Sequence, residues 1–402
     1  MKPGIIIAHS TELDTVKAAE DIFQQLRNLL SQGFVHGGII YSHIKHDTHL
    51  LQQELTNRIH IPFVGVTSSY GTAISYSGFH LDYPIISSIW FYGDCKFGLA
   101  GCEKSGDNRQ VGFSLRDNAL KNAGLSNEDT NFLIYHSTPG SETSILTHVF
   151  EGLKPGTLVI GGSASDNDIT GNWKVFSSEK VFQDGAVLAA GFWPYKMAFK
   201  FRSGYTPTRK RGIITKAKER ILLEINHRPA AVVYNEWLDG ILTDELNRGA
   251  IVIEKTALTP LAVTRHEELG LTAYVLIHPR SIELPDQSLT LFADVKEGEE
   301  IVLMRSFKKL MIERAGRTAS LALNYSSLRP KDVEAALIFY CAGTMMTIKN
   351  EIKEMLGGLE YSLQGSPYLV AFTLGEQGCL FPGKVDHGNL MNCMLIFSKI
   401  QA

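Results

Sequence analysis

A chain of 402 residues is too long for one ordinary core and calls for two or three domains. Its 44% hydrophobic content supports packed domains and, with 20% charged residues, argues against a disordered chain. The formal net charge of -3 and the lack of a basic stripe argue against a nucleic-acid partner. No apolar run reaches the roughly 18 residues that a membrane span needs.

Residues 5–8 open a first strand, too short a run for a signal peptide. Residues 14–30 carry Val16, Ala19, Ile22, Phe23, Leu26 and Leu30 near helical spacing, and Gly33 stops that helix. A strand at 37–41, a helix at 47–57 capped by Asp47 and a strand at 61–66 follow. Strand, helix, strand, helix, strand is α/β logic around a partly parallel sheet. The small, polar run 71–78 interrupts it. Residues 85–92 and 96–102 read as antiparallel strands, 111–122 as a helix, 132–136 as a strand, 143–152 as a helix and 157–160 as a strand. Short strands at 175–176, 180–181 and 185–191 suggest a meander, which 199–202 extends.

Residues 204–212 are charged, contain Pro207 and read as a crossing segment. They divide the chain into expected domains 1–203 and 204–402. Beyond them, 212–225 reads as strands around the charged turn 216–220, 230–238 as a helix and 262–263 as a short strand. Strands are expected at 274–277, 288–291 and 300–304. A helix within 307–325 is weakened by Gly316. Strands at 335–341, 368–373 and 393–397 and a helix at 349–356 complete the pattern. No low-complexity tract or precise repeat stands out. The five cysteines are scattered apart from Cys95 and Cys102 and read as reduced thiols of a cytoplasmic protein.

Chemistry gathers at strand ends. After the strand at 157–160, Gly161 and Gly162 free the backbone to turn, and Ser163, Ser165, Asp166 and Asn167 offer oxygens and amides. Such strand ends hold small ligands in α/β proteins, although the same residues also make a plain turn. The stretch Gly65-Val66-Thr67-Ser68-Ser69-Tyr70-Gly71 repeats the layout, and Thr67 is its first hydroxyl. Cys341-Ala342-Gly343-Thr344 follows another strand, where a thiol is a nucleophile only if a base or helix terminus lowers its pKa. Glu376, directly after an apolar run, can bind an amine or accept from backbone amides. His387 and Asn389 flank Gly388, and a neutral imidazole there can bond a ligand or serve as an axial iron ligand. His43, His46 and His49 are spaced by three but do not complete a zinc set. The phosphate loop, the dinucleotide fingerprint and the Gly-x-Ser-x-Gly elbow are absent.

Taken together, these stretches resemble the FIST family of bacterial sensory proteins, with its N-terminal and C-terminal FIST domains. The 65–71 stretch is similar to the family's Gly-Cys-Thr-Thr-x-Gly segment, with Val66 at the cysteine position. Gly161-Gly162-Ser163-Ala164-Ser165-Asp166 resembles Gly-Gly-x-Ala-x-Asp. Ile225-Asn226-His227-Arg228-Pro229-Ala230 resembles the start of the C-terminal domain. Cys341-Ala342-Gly343, with Thr344 for the usual arginine, Gly375-Glu376 and Asn389, with Met391 for a threonine, complete the match.

The resemblance implies an α/β protein of two related domains, with mixed sheets and flanking helices. It implies a cytoplasmic sensor of a small molecule, such as an amino acid, that changes conformation and signals through a separate partner. The residues expected to hold the ligand are Thr67, Gly162, Ser163, Asp166, Asn167, Gly343, Glu376 and Asn389, with none catalytic. One branch of the family resembles haem proteins that sense nitric oxide and control a histidine kinase or a cyclic-di-GMP enzyme. In that reading His387 is the metal ligand. Two other readings stand beside it: a hydrolase or transferase with Ser163 or Cys341 as nucleophile, and a non-catalytic interaction module. A homodimer is compatible with each.

Overall fold

Asp14 accepts a hydrogen bond from Lys17 N and starts the helix Thr15–Leu30, whose apolar stripe buries Ala18, Ala19, Ile22 and Leu26. Asp47 caps Thr48–Ile59 in the same way. The computed structural model that shows this describes residues 1–75, 85–266, 270 and 272–401. The end of the small, polar run, 76–78, lies outside the described residues. Among the described residues, no helix is long and apolar enough to cross a membrane, and all five cysteines are free.

Three mixed sheets are built on one plan. In the first, the strands Gly4–Ser10, Ile86–Tyr92, Val35–His43 and Phe63–Ser68 lie in that order. The second begins Lys96–Glu103, Gly185–Phe192, Phe132–Ser137, Leu158–Gly162, and the third Tyr195–Ser203, Met391–Gln401, Val333–Cys341, Tyr368–Thr373. In each, the fourth strand of the chain order inserts antiparallel between the first two, and the second and third strands of the chain order pair in parallel. Each parallel pair is joined through a helix or helices, as a parallel crossover requires. A repeat is therefore present three times in topology, although the sequence showed none. The inner faces of the three sheets share one large core, and helices cover each outer face, as Thr15–Leu30 and Thr48–Ile59 do for the first.

Between the first strand and first helix of the third repeat, the chain inserts a nine-stranded sheet with its own core. The expected crossing segment 204–212 is part of this insert as the strand Thr206–Lys218. Its Pro207 pairs near the start of the strand, where the register against Glu300–Arg305 is irregular, and so interrupts no central ladder. The expected meander is also corrected: Val175–Ser177 and Val181–Phe182 extend the first sheet, whereas Gly185–Phe192 crosses into the second. The expected helix at 349–356 begins as a 3-10 turn, Lys349–Glu351, and runs on as Ile352–Leu363, and a separate short helix, Ala342–Thr347, precedes it. The strands Glu376–Phe381 and Lys384–Gly388 were missed because Gly378, Gly383 and Gly388 break their apolar alternation.

Gly316 lies inside the helix Lys308–Tyr325 without breaking it. It lets Ile352–Leu363 approach, because a Cβ at Gly316 would lie 2.5 Å from the Gly358 carbonyl oxygen. Gly316→Ala gains about 1 kcal/mol of helix preference but overpacks a backbone contact, which costs about 1–3 kcal/mol. Urea denaturation is expected to show a net loss of stability for Gly316→Ala and a gain for Gly357→Ala, whose Cβ meets nothing within 4 Å.

Candidate functional site

The three parallel pairs end together. The Phe372 carbonyl accepts from Ser69 N (3.0 Å), Ser68 Oγ (3.2 Å) and Ser165 Oγ (2.7 Å). Ser68 Oγ accepts from Phe372 N (2.9 Å), and Ser165 Oγ accepts from Ser69 N (2.7 Å). The expected stretches at 65–71, 161–167 and 371–376 thus form one junction, and most of their hydroxyls hold it closed. Thr67 Oγ1 accepts from Lys174 N (3.0 Å). Asp166 gives its carboxylate to its own loop, accepting from the amides of Ile169, Thr170, Gly171 and Asn172. Asn167 Oδ1 accepts from Tyr70 N (2.8 Å).

Ser163 differs. Its hydroxyl donates to Glu142 Oε1 (3.1 Å) and accepts from Gln377 Nε2 (3.0 Å). Gln377 Nε2 also donates to His387 Nδ1 (2.8 Å), which leaves the imidazole proton on Nε2. That Nε2 lies 3.9 Å from Glu142 Oε1. The register explains the convergence: His387, Gln377, Gly161 and Tyr135 occupy one rung across four strands of the second sheet. Gly162 shapes the neighbouring rung, where a Cβ would strike the Thr373 side chain.

Glu142 opens the helix Glu142–Phe150, preceded by Ser141 in the left-handed region at φ +63°. Its carboxylate is fully buried and accepts from Gly140 N (2.8 Å). Arg220, in the turn after Thr206–Lys218, pairs with Glu142 and holds Asp294 at 3.1 Å. Lys104 ties the carbonyls of Thr138, Pro139 and Gly140 beneath this turn. Burial works against the charge on Glu142, but Arg220 chiefly outweighs it and holds the carboxyl at about 2. Burial pushes His387 below its usual range, so the imidazole is neutral beside an ionised Glu142.

The cluster keeps polar atoms in reserve. His387 Nε2 and Gln377 Oε1 are buried with no hydrogen-bond partner among the described residues, and the Tyr135 and Ser137 hydroxyls have only each other. Buried polar groups are normally paired, so the unmatched His387 and Gln377 atoms make this cluster the candidate site. The equivalent helices of the other two repeats open with Thr48 and Ala342, so the buried carboxylate belongs to the second repeat alone. Glu142, Gln377 and Arg220 were not singled out from sequence. Glu142 left one readable signal, the sole acid of its helix, placed at the first position.

Glu376 points to the opposite face from Gln377, by the two-residue period of a strand. It accepts from Thr373 Oγ1 (2.8 Å) and Met391 N (2.9 Å), and burial pushes its carboxyl up to about 8. Ser163 and Glu376 are therefore neighbours that do not share a pocket. Asn389 accepts from His278 N (3.1 Å) and donates its own N–H to the Leu276 carbonyl (2.9 Å), tying the insert to the core. Gly343 lies in the helix Ala342–Thr347, close to Leu390.

Two chemical readings lose support here. Among the described residues Ser163 has no histidine within hydrogen-bond range, and an acid held at about 2 is a poor base for it. Burial, then Glu376, pushes the Cys341 thiol up to about 12, so it is not a thiolate at neutral pH. The residues around His387 do not fit a haem either. Nδ1 is engaged by Gln377, and an iron on Nε2 would stand against the Glu142 carboxylate in a fully buried cluster. Among the described residues no group of three or more metal-ligating side chains forms.

The FIST N domain model matches residues 37–228, and the FIST C domain model matches residues 230–379. No curated protein matches the chain. Among solved structures it is similar to cyanuric acid hydrolase from A. caulinodans, at 8% identity over 98% of this chain and 99% of that one, with a TM-score of 0.41. A second cyanuric acid hydrolase structure is 9% identical over 99% and 100% of the two chains, with a TM-score of 0.35. T. maritima PurL complexed with FGAR is 11% identical over 98% of this chain and 73% of that one, with a TM-score of 0.21.

Folding raises the pKa of the Glu376 carboxyl, chiefly by burial. Between its unfolded value near 4.5 and its folded value of about 8, the native state binds more protons than the unfolded chain. Stability contributed by this residue therefore falls as pH rises through that window. Glu376→Gln is expected to gain stability over the parent from pH 5 to pH 8, measured by urea denaturation across that range. A difference that stays flat or shrinks would show that Glu376 ionises normally in the fold.

Proposed function

We propose a sensing role for this chain, which belongs to the FIST family of sensory domains: a small polar ligand binds at the Glu142–Ser163–Gln377–His387 cluster. The observation that carries this reading is the set of buried polar atoms left without partners around an ionised carboxylate. A ligand with adjacent donor and acceptor groups answers them, accepting from His387 Nε2–H and donating to Gln377 Oε1.

The cluster lies where the insert meets the three-repeat core. Arg220 comes from the insert and is shared between Glu142 of the core and Asp294 of the insert. Asn389 makes a second tie to the insert through His278 and Leu276. A ligand that changes the hydrogen bonding of Glu142 changes how firmly Arg220 is held. The insert then shifts between two positions with different ligand affinity, which is the thermodynamic requirement for a sensor. The output passes to a separate signalling protein, and the five free thiols are in keeping with a cytoplasmic setting.

Differential scanning fluorimetry against a panel of small polar molecules, amino acids included, tests this reading. A true ligand at about 100 times its Kd adds about 2.7 kcal/mol of stability and raises the Tm. Ser163→Ala and Gln377→Leu are expected to weaken its binding at least tenfold, whereas Glu376→Gln, on the other face, leaves it within twofold. A panel with no stabilising compound, or one whose effect survives both substitutions, overturns the proposal.

A further inference from the structure

A cavity lies between the C-terminal end of the helix Glu142–Phe150, the hairpin of Glu376–Phe381 with Lys384–Gly388, and the insert strand Leu261–His266. Its volume of about 490 Å³ suits a small molecule. Phe150, Leu380, Phe381 and Val385 supply apolar wall, and Arg265 and Lys384 supply positive charge.

The acids at this cavity are already engaged. Asp386 accepts from Arg265 Nε (2.7 Å) and from His387 N (2.8 Å). Glu151 meets His148 at 3.1 Å. Arg265 also holds Glu299 (2.9 Å) through Nη1, which leaves Nη2 without a partner among the described residues. Lys384 is exposed and has no partner among them either. The cavity thus offers an apolar wall with two unused cationic donors beside it.

We propose that this cavity binds a small amphipathic anion, with an aromatic or aliphatic body against Phe150, Leu380, Phe381 and Val385 and an acidic head on Arg265 Nη2 and Lys384 Nζ. The site is separate from the buried cluster and does not need that cluster to bind anything. An anion that pulls on Arg265 also reaches Asp386 and, through it, the His387 backbone amide.

Calorimetric titration of the full chain with 1-naphthoate, 1-naphthylmethanol and 1-naphthylmethylamine tests the proposal, since the three share a ring system and differ in charge. Naphthoate is expected to bind at least tenfold tighter than either of the others. Lys384→Glu, at an exposed position, is expected to weaken naphthoate about tenfold and to favour the amine. Phe381→Ser is expected to weaken all three. Equal binding of the three compounds, no binding of naphthoate, or naphthoate binding unchanged in Lys384→Glu overturns the proposal.

Discussion

One carbonyl oxygen holds the three repeats in register. Phe372 O takes donors from the strand ends of both other repeats, Ser68 and Ser69 from the first and Ser165 from the second. A carbonyl has two lone pairs, so three donors crowd it, and each serine is fixed by a further bond. Ser165 N donates to Thr67 O (3.0 Å), and Ser163 N donates to the Gly375 carbonyl (2.9 Å). With the strand ends locked in this way, the position and direction of Ser163 and Gln377 follow.

The same constraint explains why one repeat carries the site. All three bring a strand end and a helix start to the junction, but only the second opens its helix with a carboxylate. Burying Glu142 is costly unless charge and hydrogen bonds compensate it. Arg220 supplies the charge, and it comes from the insert, which interrupts the third repeat. The insert is therefore electrostatically part of the site, and the two family matches, which meet near residue 229, describe parts that depend on each other.

Much of the fold was legible in the sequence, because helices and buried strands write their periods plainly. The helix Thr15–Leu30 and the strand Val333–Cys341 are examples. The threefold plan was not legible: it lives in strand order, which residue spacing does not record. Thr206–Lys218 was hidden because half of its side chains face water and carry charge. The site was half legible. Ser163 and His387 stood out as polar residues at strand ends and do meet through Gln377. Asp166 and Thr67 stood out for the same reason, yet their oxygens are taken up locally. Sequence shows which residues can hydrogen-bond, but only packing shows which of them are left with a bond to make.

Hydrogen–deuterium exchange of Ser165→Ala tests the junction most directly. Removing this hydroxyl takes an acceptor from Ser69 N–H and a donor from the Phe372 carbonyl. Faster amide exchange is expected at all three strand ends together, near residues 68–70, 163–166 and 371–375, in a chain that stays folded. Faster exchange confined to the residues beside position 165 would contradict it.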